Sequence, residues 1–295
     1  MDFKQLEAYV KVIETASFTK AADVIFMSQP SVSAYIRSLE KELGATLVNR
    51  SSKEVSPTPA GKILYENAKE LLALKSRTVE GIRNLSGSFS GDISIAASSV
   101  PAQYILPEIL SGFTKMYPGI SVTVRQSDTY EVSRVVALQQ AEIGFSGDTV
   151  ENSRCDFVEF MTDKMVVIGP PGMGFCDTKE YFLEALMYEY PFISRELGSG
   201  TRGQYEAFFA KHDIDISRAS FGICFDNTHS IINAVACGAG ISMVSEIAAR
   251  AFVDSGMVVP LRLITALPAR KLYYVLKKGI VHSHLVDLLV RHISH

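Results

Sequence analysis

Apolar residues near the start of the chain recur at the spacing of a buried helical face and predict two short helices in Ser17–Leu43. The apolar face of the first helix consists of Phe18, Ala21, Ala22 and Ile25. The apolar face of the second helix consists of Val32, Ile36, Leu39 and Leu43. Ser17 is suited to cap the first helix, and Gly44 to end the second. The segment is therefore predicted to form a helix-turn-helix.

The second predicted helix leaves a polar face outside that suits the major groove of DNA. The residues on this face are small or hydrogen-bonding in the first two turns, with one arginine at mid-length: Gln29, Ser31, Ser33, Ala34, Arg37, Ser38 and Lys41. A helix in the major groove needs little bulk near the base pairs, polar groups for base edges, and a cation for guanine or phosphate. An ordinary helical hairpin with a solvated polar face remains open, because the same geometry is common outside DNA binding.

The next segments predict a wing and a long helix. Short strands at Thr46–Arg50 and Glu54–Ser56 would form the wing of a winged helix, with Arg50 and Lys53 positioned to contact phosphates rather than to read bases. Arg50 is equally suited to brace the wing through a carboxylate. From Thr58 to about residue 84 an interrupted apolar line predicts a linker helix that pairs two subunits, followed by a flexible hinge at 86–91.

From Asp92 onward the pattern changes to alternating strands and helices. The predicted strands are Ile93–Ala97, Ser121–Arg125, Ile143–Phe145, Met165–Ile168, Pro191–Ile193, Gly222–Phe225, Ile241–Val244 and Lys271–Leu276. The predicted helices are Ala102–Met116, Tyr130–Gln140, Lys179–Leu186, Gly203–Lys211, Ser230–Cys237 and Glu246–Val253. Such alternation predicts mostly parallel sheets covered by helices on both faces, and this length allows two α/β subdomains.

Composition narrows the class of protein. The 295 residues are 47% hydrophobic and 21% charged, as in ordinary globular proteins. No apolar run reaches the ~18 residues of a membrane span, and Met1 leads directly into an amphipathic helix, so we expect a cytoplasmic protein with no membrane partner. The four cysteines are far apart, and the histidines near the carboxyl terminus are better explained by a solvated helix than by a chelate. We therefore expect no metal and no cofactor.

Charge does not favour DNA binding by itself. The net charge is −3, and Met1–Thr58 contains seven basic and seven acidic residues. A field that attracts DNA must then come from segregation of Arg37, Arg50 and Lys53 on one side. This balance predicts modest nonspecific affinity and reliance on dimeric, sequence-specific contacts.

The amino-terminal sequence resembles the DNA-binding domain of LysR-type transcriptional regulators. The matching stretches, in family order and spacing, are Phe3–Leu6, Ser17–Ala22, Ser28–Ser33, Ile36–Glu40, Leu43–Gly44, Arg50 and Thr58–Gly61. The resemblance implies double-stranded DNA as partner, a homodimer or homotetramer, a small effector and no catalysis, and leaves RNA polymerase open as a further partner. The implied DNA-binding residues are Ser28, Gln29, Pro30, Ser31, Ser33, Ala34, Arg37, Arg50 and Lys53.

The same resemblance implies a domain organisation. A winged helix-turn-helix, rich in helix, would occupy residues 1–58, and a dimerising linker helix with its hinge residues 59–90. An effector-binding domain would occupy 91–295, with two α/β subdomains resembling periplasmic binding proteins. By this analogy, subdomain I contains residues 91–162 and 264–295, and subdomain II contains 163–263.

Small polar residues follow several predicted strands, where ligands bind in open α/β sheets. Helix amino termini favour anions, and Arg202 adds a forked donor suited to an oxyanion. We therefore expect a small anionic effector to contact Ser98, Ser99, Gly147, Ser199, Gly200, Thr201, Arg202 and Thr228. Each hydroxyl alone is equally explained as a helix cap, and only the convergence of several segments supports a site. Glu196–Arg202 also resembles a stretch of family members that respond to sulfur-related and similar small anions.

An enzyme is the alternative interpretation. Gly198–Gly203 is a literal GxGxxG between a predicted strand and a predicted helix, and Asp226 follows the next strand, as in a dinucleotide fingerprint. An NAD(P)-linked oxidoreductase would use this turn. Against it, Arg202 would crowd the pyrophosphate, and no catalytic acid–base set is evident elsewhere.

Overall fold

The chain folds as two compact units in a computed structural model, Met1–Ser88 and Phe89–His295. The structure describes residues 1–49, 55–84, 89–175, 179–215, 220 and 222–294. Arg50 and Lys53, together with hinge positions 86–88, lie outside the described residues. Of the remaining positions of the predicted hinge, Ser90 and Gly91 belong to the first strand of the second unit, and Phe89 directly precedes it.

The first unit is a helix-turn-helix followed by a two-stranded ribbon and a long helix. Its elements are α1 (Phe3–Thr15), α2 (Phe18–Val24), α3 (Gln29–Leu43), β1 (Val48–Asn49), β2 (Ser56–Pro57) and α4 (Pro59–Asn84). The Ser17 and Ser28 hydroxyls accept hydrogen bonds from the N–H groups of Lys20 and Ser31, which caps α2 and α3. Gly44 ends α3 in the left-handed region, at φ +64°.

The core of this unit follows the predicted apolar faces with one exception. Val32, Ile36 and Leu39 are fully buried, whereas Leu43, the last residue of α3, is 44% exposed. Tyr9 closes the core by donating a hydrogen bond of 2.8 Å to the carbonyl of Gly61. A Cβ atom at Gly61 would lie 2.1 Å from the Leu47 carbonyl oxygen, so the start of α4 requires glycine to pack here.

The second unit is a two-subdomain α/β structure. Its strands are β3 (Ser90–Ala97), β4 (Gly119–Gln126), β5 (Ile143–Ser146), β6 (Cys155–Gly169), β7 (Ile193–Arg195), β8 (Ile223–Phe225), β9 (Ser242–Ser245), β10 (Val259–Leu261) and β11 (Ala269–Lys277). Its helices are a π-helical turn (Pro101–Ile105), α5 (Leu106–Met116), α6 (Thr129–Ala137), α7 (Leu183–Glu189), α8 (Gly200–Lys211), α9 (Thr228–Ala236), α10 (Glu246–Asp254) and α11 (His284–Ile293).

Two long strands connect the subdomains. The main sheet has the order β10-β6-β11-β5-β3-β4, with β9 also paired to β6. From Cys155 to Lys164, β6 pairs with β11, and from Met165 it pairs with β9 and β10. These pairings are antiparallel, while β3 is parallel to β4 and β5. The expectation of mostly parallel sheets is therefore wrong for the strands that join the subdomains, which we call the connecting strands, β6 and β11.

Two further elements differ from the sequence-based expectation. The helix predicted at Lys179–Leu186 begins only at Leu183, because Tyr181 pairs with Leu263 as a parallel bridge. The last helix, α11, is also not simply solvated. Leu285 and Leu289 are fully buried in the subdomain I core, and the His292 ring packs edge-on against Phe113.

Within the described residues, no helix is long and apolar enough to cross a membrane. The same part of the chain contains no group of three or more side chains placed to hold a metal ion.

Candidate effector cleft and DNA-reading helix

Helix α3 presents the polar face that the sequence predicts. Gln29, Pro30, Ala34 and Arg37 are exposed, and Ser31 and Ser33 are half-buried. The Ser28 and Ser31 hydroxyl oxygens are 2.8 Å apart, so the first turn is braced by its own side chains. Arg37 forms no ion pair with any described residue, which leaves its guanidinium available to a phosphate or a guanine base.

A small polar cavity lies in the second unit, where several strands end. Its lining residues, here called the cleft residues, are Ser98, Ser99, Val100, Ser127, Asp128, Thr129, Gly147, Arg195, Glu196, Ser199, Gly200, Thr201 and Arg270. Its free volume of about 20 Å³ is room for about one water molecule. One aliphatic side chain, Val100, contributes to the lining, so the cavity suits polar ligand atoms.

Arg195 supplies the first buried guanidinium at the cavity. It is the last residue of the buried strand β7 and is 4% exposed. Its Nη2 donates to the Ser99 hydroxyl at 3.3 Å, and its Nη1 donates to the Thr228 hydroxyl at 3.0 Å. It also forms a two-pronged ion pair with Glu196 through Nε and Nη2. The guanidinium is thereby fixed between subdomain I and the amino terminus of α9.

Arg270 supplies the second buried guanidinium and is 3% exposed. It sits opposite Asp163 on the connecting strands, and its Nε donates to the Asp163 carboxylate at 2.9 Å. Its Nη2 lies 2.8 Å from the same carboxylate, and its Nη1 donates to the Thr201 hydroxyl at 3.0 Å. The ion pair neutralises a charge that would be very costly to bury alone.

The amino terminus of α8 faces the cavity without a cap from its own side chain. Ser199, at the N-cap position, is 7% exposed but accepts no hydrogen bond from the first turn of α8. In contrast, the N-cap residues of α9 and α10, Asn227 and Ser245, do accept such bonds. Among the described residues, the Ser199 hydroxyl and the first N–H groups of α8 have no hydrogen-bond partner, so they can bind acceptor atoms of a ligand.

Most of the sequence-predicted effector residues lie at this cavity. Those that line it are Ser98, Ser99, Gly147, Ser199, Gly200 and Thr201. Thr228 lies behind the lining and acts through its hydrogen bond from Arg195. Arg202 is outside the lining: its Nε donates to Glu206 at 2.7 Å, and its Nη1 donates to the Arg195 carbonyl at 3.0 Å.

Sequence reasoning missed both cavity arginines. Arg195 lies at the end of β7, and Arg270 lies near the start of β11. For Arg195, the available signal was a charged residue near the carboxyl end of a predicted strand; Arg270, at the start of its strand, gave no such signal. The glycine-rich segment nearby instead favoured Arg202 as the arginine of the site.

Tyr205 supports the cavity from behind. Its hydroxyl accepts a hydrogen bond from the Arg195 backbone N–H at 3.2 Å. Burial raises the pKa of Tyr205 from 10 to about 12, so the phenol is neutral throughout the physiological range. The hydrogen bond between Arg202 and Glu206 raises the pKa of the Arg202 guanidinium.

Two of the solved structures with the same fold are complexes, one with DNA and one with a small molecule. CbnR, in complex with its target DNA, is 19% identical and has a TM-score of 0.69, with 99% of each chain covered. The regulatory domain of Synechocystis PCC6803 CcmR, in complex with 2-PG, is 21% identical with a TM-score of 0.63. It covers 70% of this chain and 96% of that domain. At these identities the comparison establishes the fold.

Family models and a curated relative establish the family. Residues 3–62 match the bacterial regulatory helix-turn-helix protein model of the lysR family, and residues 86–295 match the LysR substrate binding domain. The chain is 34% identical over 247 residues to the HTH-type transcriptional regulator CysL of Bacillus subtilis (strain 168), covering 83% of this chain and 81% of that protein. The NAD(P)-linked oxidoreductase interpretation is therefore wrong, and Gly200 and Gly203 instead form the first turn of α8. The chain belongs to the LysR family of helix-turn-helix transcriptional regulators.

Proposed function

We propose that this regulator binds specific DNA sequences through α3 and is controlled by a small anion bound at the cleft residues. The observation that carries the proposal is the convergence of two buried guanidiniums, those of Arg195 and Arg270, with the uncapped amino terminus of α8. Guanidinium forks and helix amino termini are the donors that bind carboxylates, sulfate and phosphate most strongly.

The two buried guanidiniums at the cavity carry no excess positive charge. Arg195 and Arg270 are paired with Glu196 and Asp163, and Asp128 also lines the cavity. Excess positive charge therefore does not drive binding. Binding depends instead on directed hydrogen-bond donors, namely the two guanidiniums, the Ser199 hydroxyl and the first N–H groups of α8, and these favour a compact ligand with several acceptor atoms. The CcmR domain, which holds 2-PG, is a related fold that accepts a small molecule.

The size of the cavity implies a response to binding. A volume of about 20 Å³ holds no more than a water molecule or two, so a larger anion requires the two sides of the cavity to move apart. Ser98, Ser99 and Gly147 lie on the subdomain I side, whereas Ser199 and Thr201 lie on the other. An effector would therefore shift the population of subdomain arrangements, and that shift is what would reach the DNA-binding unit.

On DNA, α3 would enter the major groove, with Gln29, Ser33 and Arg37 facing base edges and phosphates. Arg50 and Lys53 remain proposed phosphate contacts of the wing. We infer that two chains act together as a dimer or tetramer, reading a pseudo-palindromic site, and that the protein works in the cytoplasm, where it meets RNA polymerase on the promoter.

The test of effector control is thermal unfolding of the full chain with sodium sulfate, sodium phosphate and short carboxylates, each matched to sodium chloride at the same ionic strength. A saturable rise in the unfolding temperature is the expected result, because a ligand at 100 times its Kd stabilises the folded state by about 2.7 kcal/mol. The active anion is then added to a DNA titration. Stabilisation by neutral analogues but by no anion would contradict the proposed ligand class.

A further inference from the structure

Phe26, in the turn between α2 and α3, is almost completely exposed. Its side chain is 96% accessible, whereas its neighbours Ile25 and Met27 are half-buried and pack on the core of the first unit. An exposed aromatic ring of this size adds nothing to the core and leaves its apolar surface in water. The fold therefore gives no reason for a phenylalanine here.

The backbone at Phe26 is also unfavourable for a bulky side chain. Its φ is +53°, in the left-handed region that favours glycine or asparagine. The conformation is fixed by two hydrogen bonds of the turn, from the Phe26 N–H to the Asp23 carbonyl and from the Met27 N–H to the Ala22 carbonyl. A residue that is both strained and exposed points to a function outside the fold.

The position of Phe26 indicates what the ring contacts. Phe26 lies two residues before Ser28, the N-cap of α3, so their Cα atoms are at most about 7.6 Å apart. The residues that follow, Gln29 and Pro30, are exposed and begin the face that meets the groove. The amino-terminal end of a recognition helix is the part that contacts base edges.

DNA offers apolar surface at this place. The C5-methyl groups of thymines project into the major groove, and phenylalanine rings contact them. The deoxyribose carbons along the groove edge are the other apolar surface within reach. Both surfaces are uncharged, so a ring can pack on them without displacing a cation from phosphate.

We propose that Phe26 is a DNA-contacting residue whose ring packs on a thymine methyl group or a deoxyribose beside the bases read by α3. This inference rests on the proposed DNA-reading role of α3 and adds to it an apolar contact from the preceding turn. The left-handed backbone at Phe26 costs free energy in the turn, and the contact with DNA offsets this cost in the complex.

The test uses the full chain and a duplex carrying the region upstream of the protein's own gene. Phe26→Asn and Phe26→Gly suit the left-handed backbone, so both variants should unfold at the same temperature as the wild type or a higher one. Their affinity for the duplex should fall by at least about tenfold, the loss expected for one good contact. The dependence of affinity on salt should stay unchanged, because the ring neutralises no phosphate.

Ala16→Asn is the matched control. Ala16 is also in the left-handed region, at φ +50°, but it ends α1 and is away from the α2–α3 turn in sequence. This variant should keep the wild-type affinity. A second duplex with uracil in place of thymine identifies the contact. If the uracil duplex binds the wild type more weakly than the thymine duplex does, but binds Phe26→Asn equally well, the ring contacts a methyl group. If Phe26→Asn loses the same affinity relative to the wild type on both duplexes, the ring contacts a deoxyribose.

Two outcomes separate this inference from the function on which it rests. If the wild type shows no saturable, sequence-specific binding, the DNA-reading role of α3 fails. If the wild type binds specifically and Arg37→Ala fails to bind, while Phe26→Asn binds with unchanged affinity, the inference about Phe26 alone is overturned. A change only in oligomeric state, with unchanged DNA affinity, would also overturn it and assign the ring to a contact between copies of the chain.

Discussion

Arg270 donates a hydrogen bond from Nη1 to the hydroxyl of Thr201, 3.0 Å away, while its Nε and Nη2 meet the carboxylate of Asp163. Thr201 belongs to the first turn of α8, and Arg270 and Asp163 face each other on the connecting strands. One buried arginine thus joins the cleft cavity to the strands that link the subdomains. A ligand that moves α8 must also act on these strands.

The first prediction concerns this ion pair. Arg270→Met leaves the Asp163 carboxylate buried and unpaired, and should lower the free energy of unfolding by about 3–5 kcal/mol. The double variant Arg270→Met/Asp163→Leu removes both charges and should recover a large part of that loss. Urea unfolding of the wild type, Arg270→Met, Asp163→Leu and the double variant measures the coupling. Additive losses in the double variant would contradict the buried pair.

The second prediction distinguishes Arg195 from Arg202 as the effector-binding arginine. Arg195→Lys keeps a positive charge but loses the fork that reaches Ser99 and Thr228, so anion affinity should fall by more than about tenfold. Arg202→Ala removes a side chain that faces Glu206, and should change anion affinity much less. Isothermal titration calorimetry with the active anion measures both. DNA binding without effector should be retained in each variant, and the reverse ranking would return the site to Arg202.

The third prediction compares two buried serines at helix starts. Ser245→Ala removes the hydroxyl that accepts from the Ala248 N–H and should cost about 1 kcal/mol of stability without affecting anion binding. Ser199→Ala removes a hydroxyl that does not cap its helix, so stability should hardly change while anion affinity falls. Paired thermal unfolding and calorimetry test the contrast. A large loss of stability in Ser199→Ala, with intact binding, would show that this serine serves the fold.

The fourth prediction follows from the raised pKa of Tyr205. An unfolded tyrosine ionises near pH 10, and the folded one only near pH 12, so the folded state binds the proton more tightly. The stability contribution is complete below pH 10 and is lost as the pH rises from 10 to 12, amounting to roughly 2–3 kcal/mol. Tyr205→Phe should therefore flatten the fall in stability over that interval. Tyr130→Phe, which removes a phenol hydroxyl at an exposed position, is measured beside it as the control.

The sequence predicts local elements well where periodicity and caps agree. Ser17, Ser28 and Gly44 mark helix ends at the positions where the structure has them, because caps act through neighbouring backbone groups. The connecting strand β6 was predicted only from Met165, although it begins at Cys155. Its first part contains the charged residues Asp156, Glu159, Asp163 and Lys164 at no regular spacing and pairs with β11, and a single sequence carries no sign of so distant a partner.

The cavity was predicted only in part for a similar reason. Small polar residues at strand ends signal a ligand site, and Ser98, Ser99, Ser199 and Thr201 are at the cavity. Which arginine faces it depends on the rotation of β7 and α8, and this rotation turns Arg195 inward and Arg202 toward Glu206. Arg270 is 69 residues from its partner Thr201, and only the tertiary fold brings them together.

The most direct measurement is fluorescence anisotropy of the full chain with the duplex from upstream of its own gene, across a salt series. Arg37→Ala is measured beside Lys41→Ala, which removes a cation from the far end of the same helix. We predict saturable binding that outcompetes random DNA, is lost in Arg37→Ala and is largely kept in Lys41→Ala. Equal affinity for random DNA, or equal effects of the two variants, would contradict sequence reading by α3.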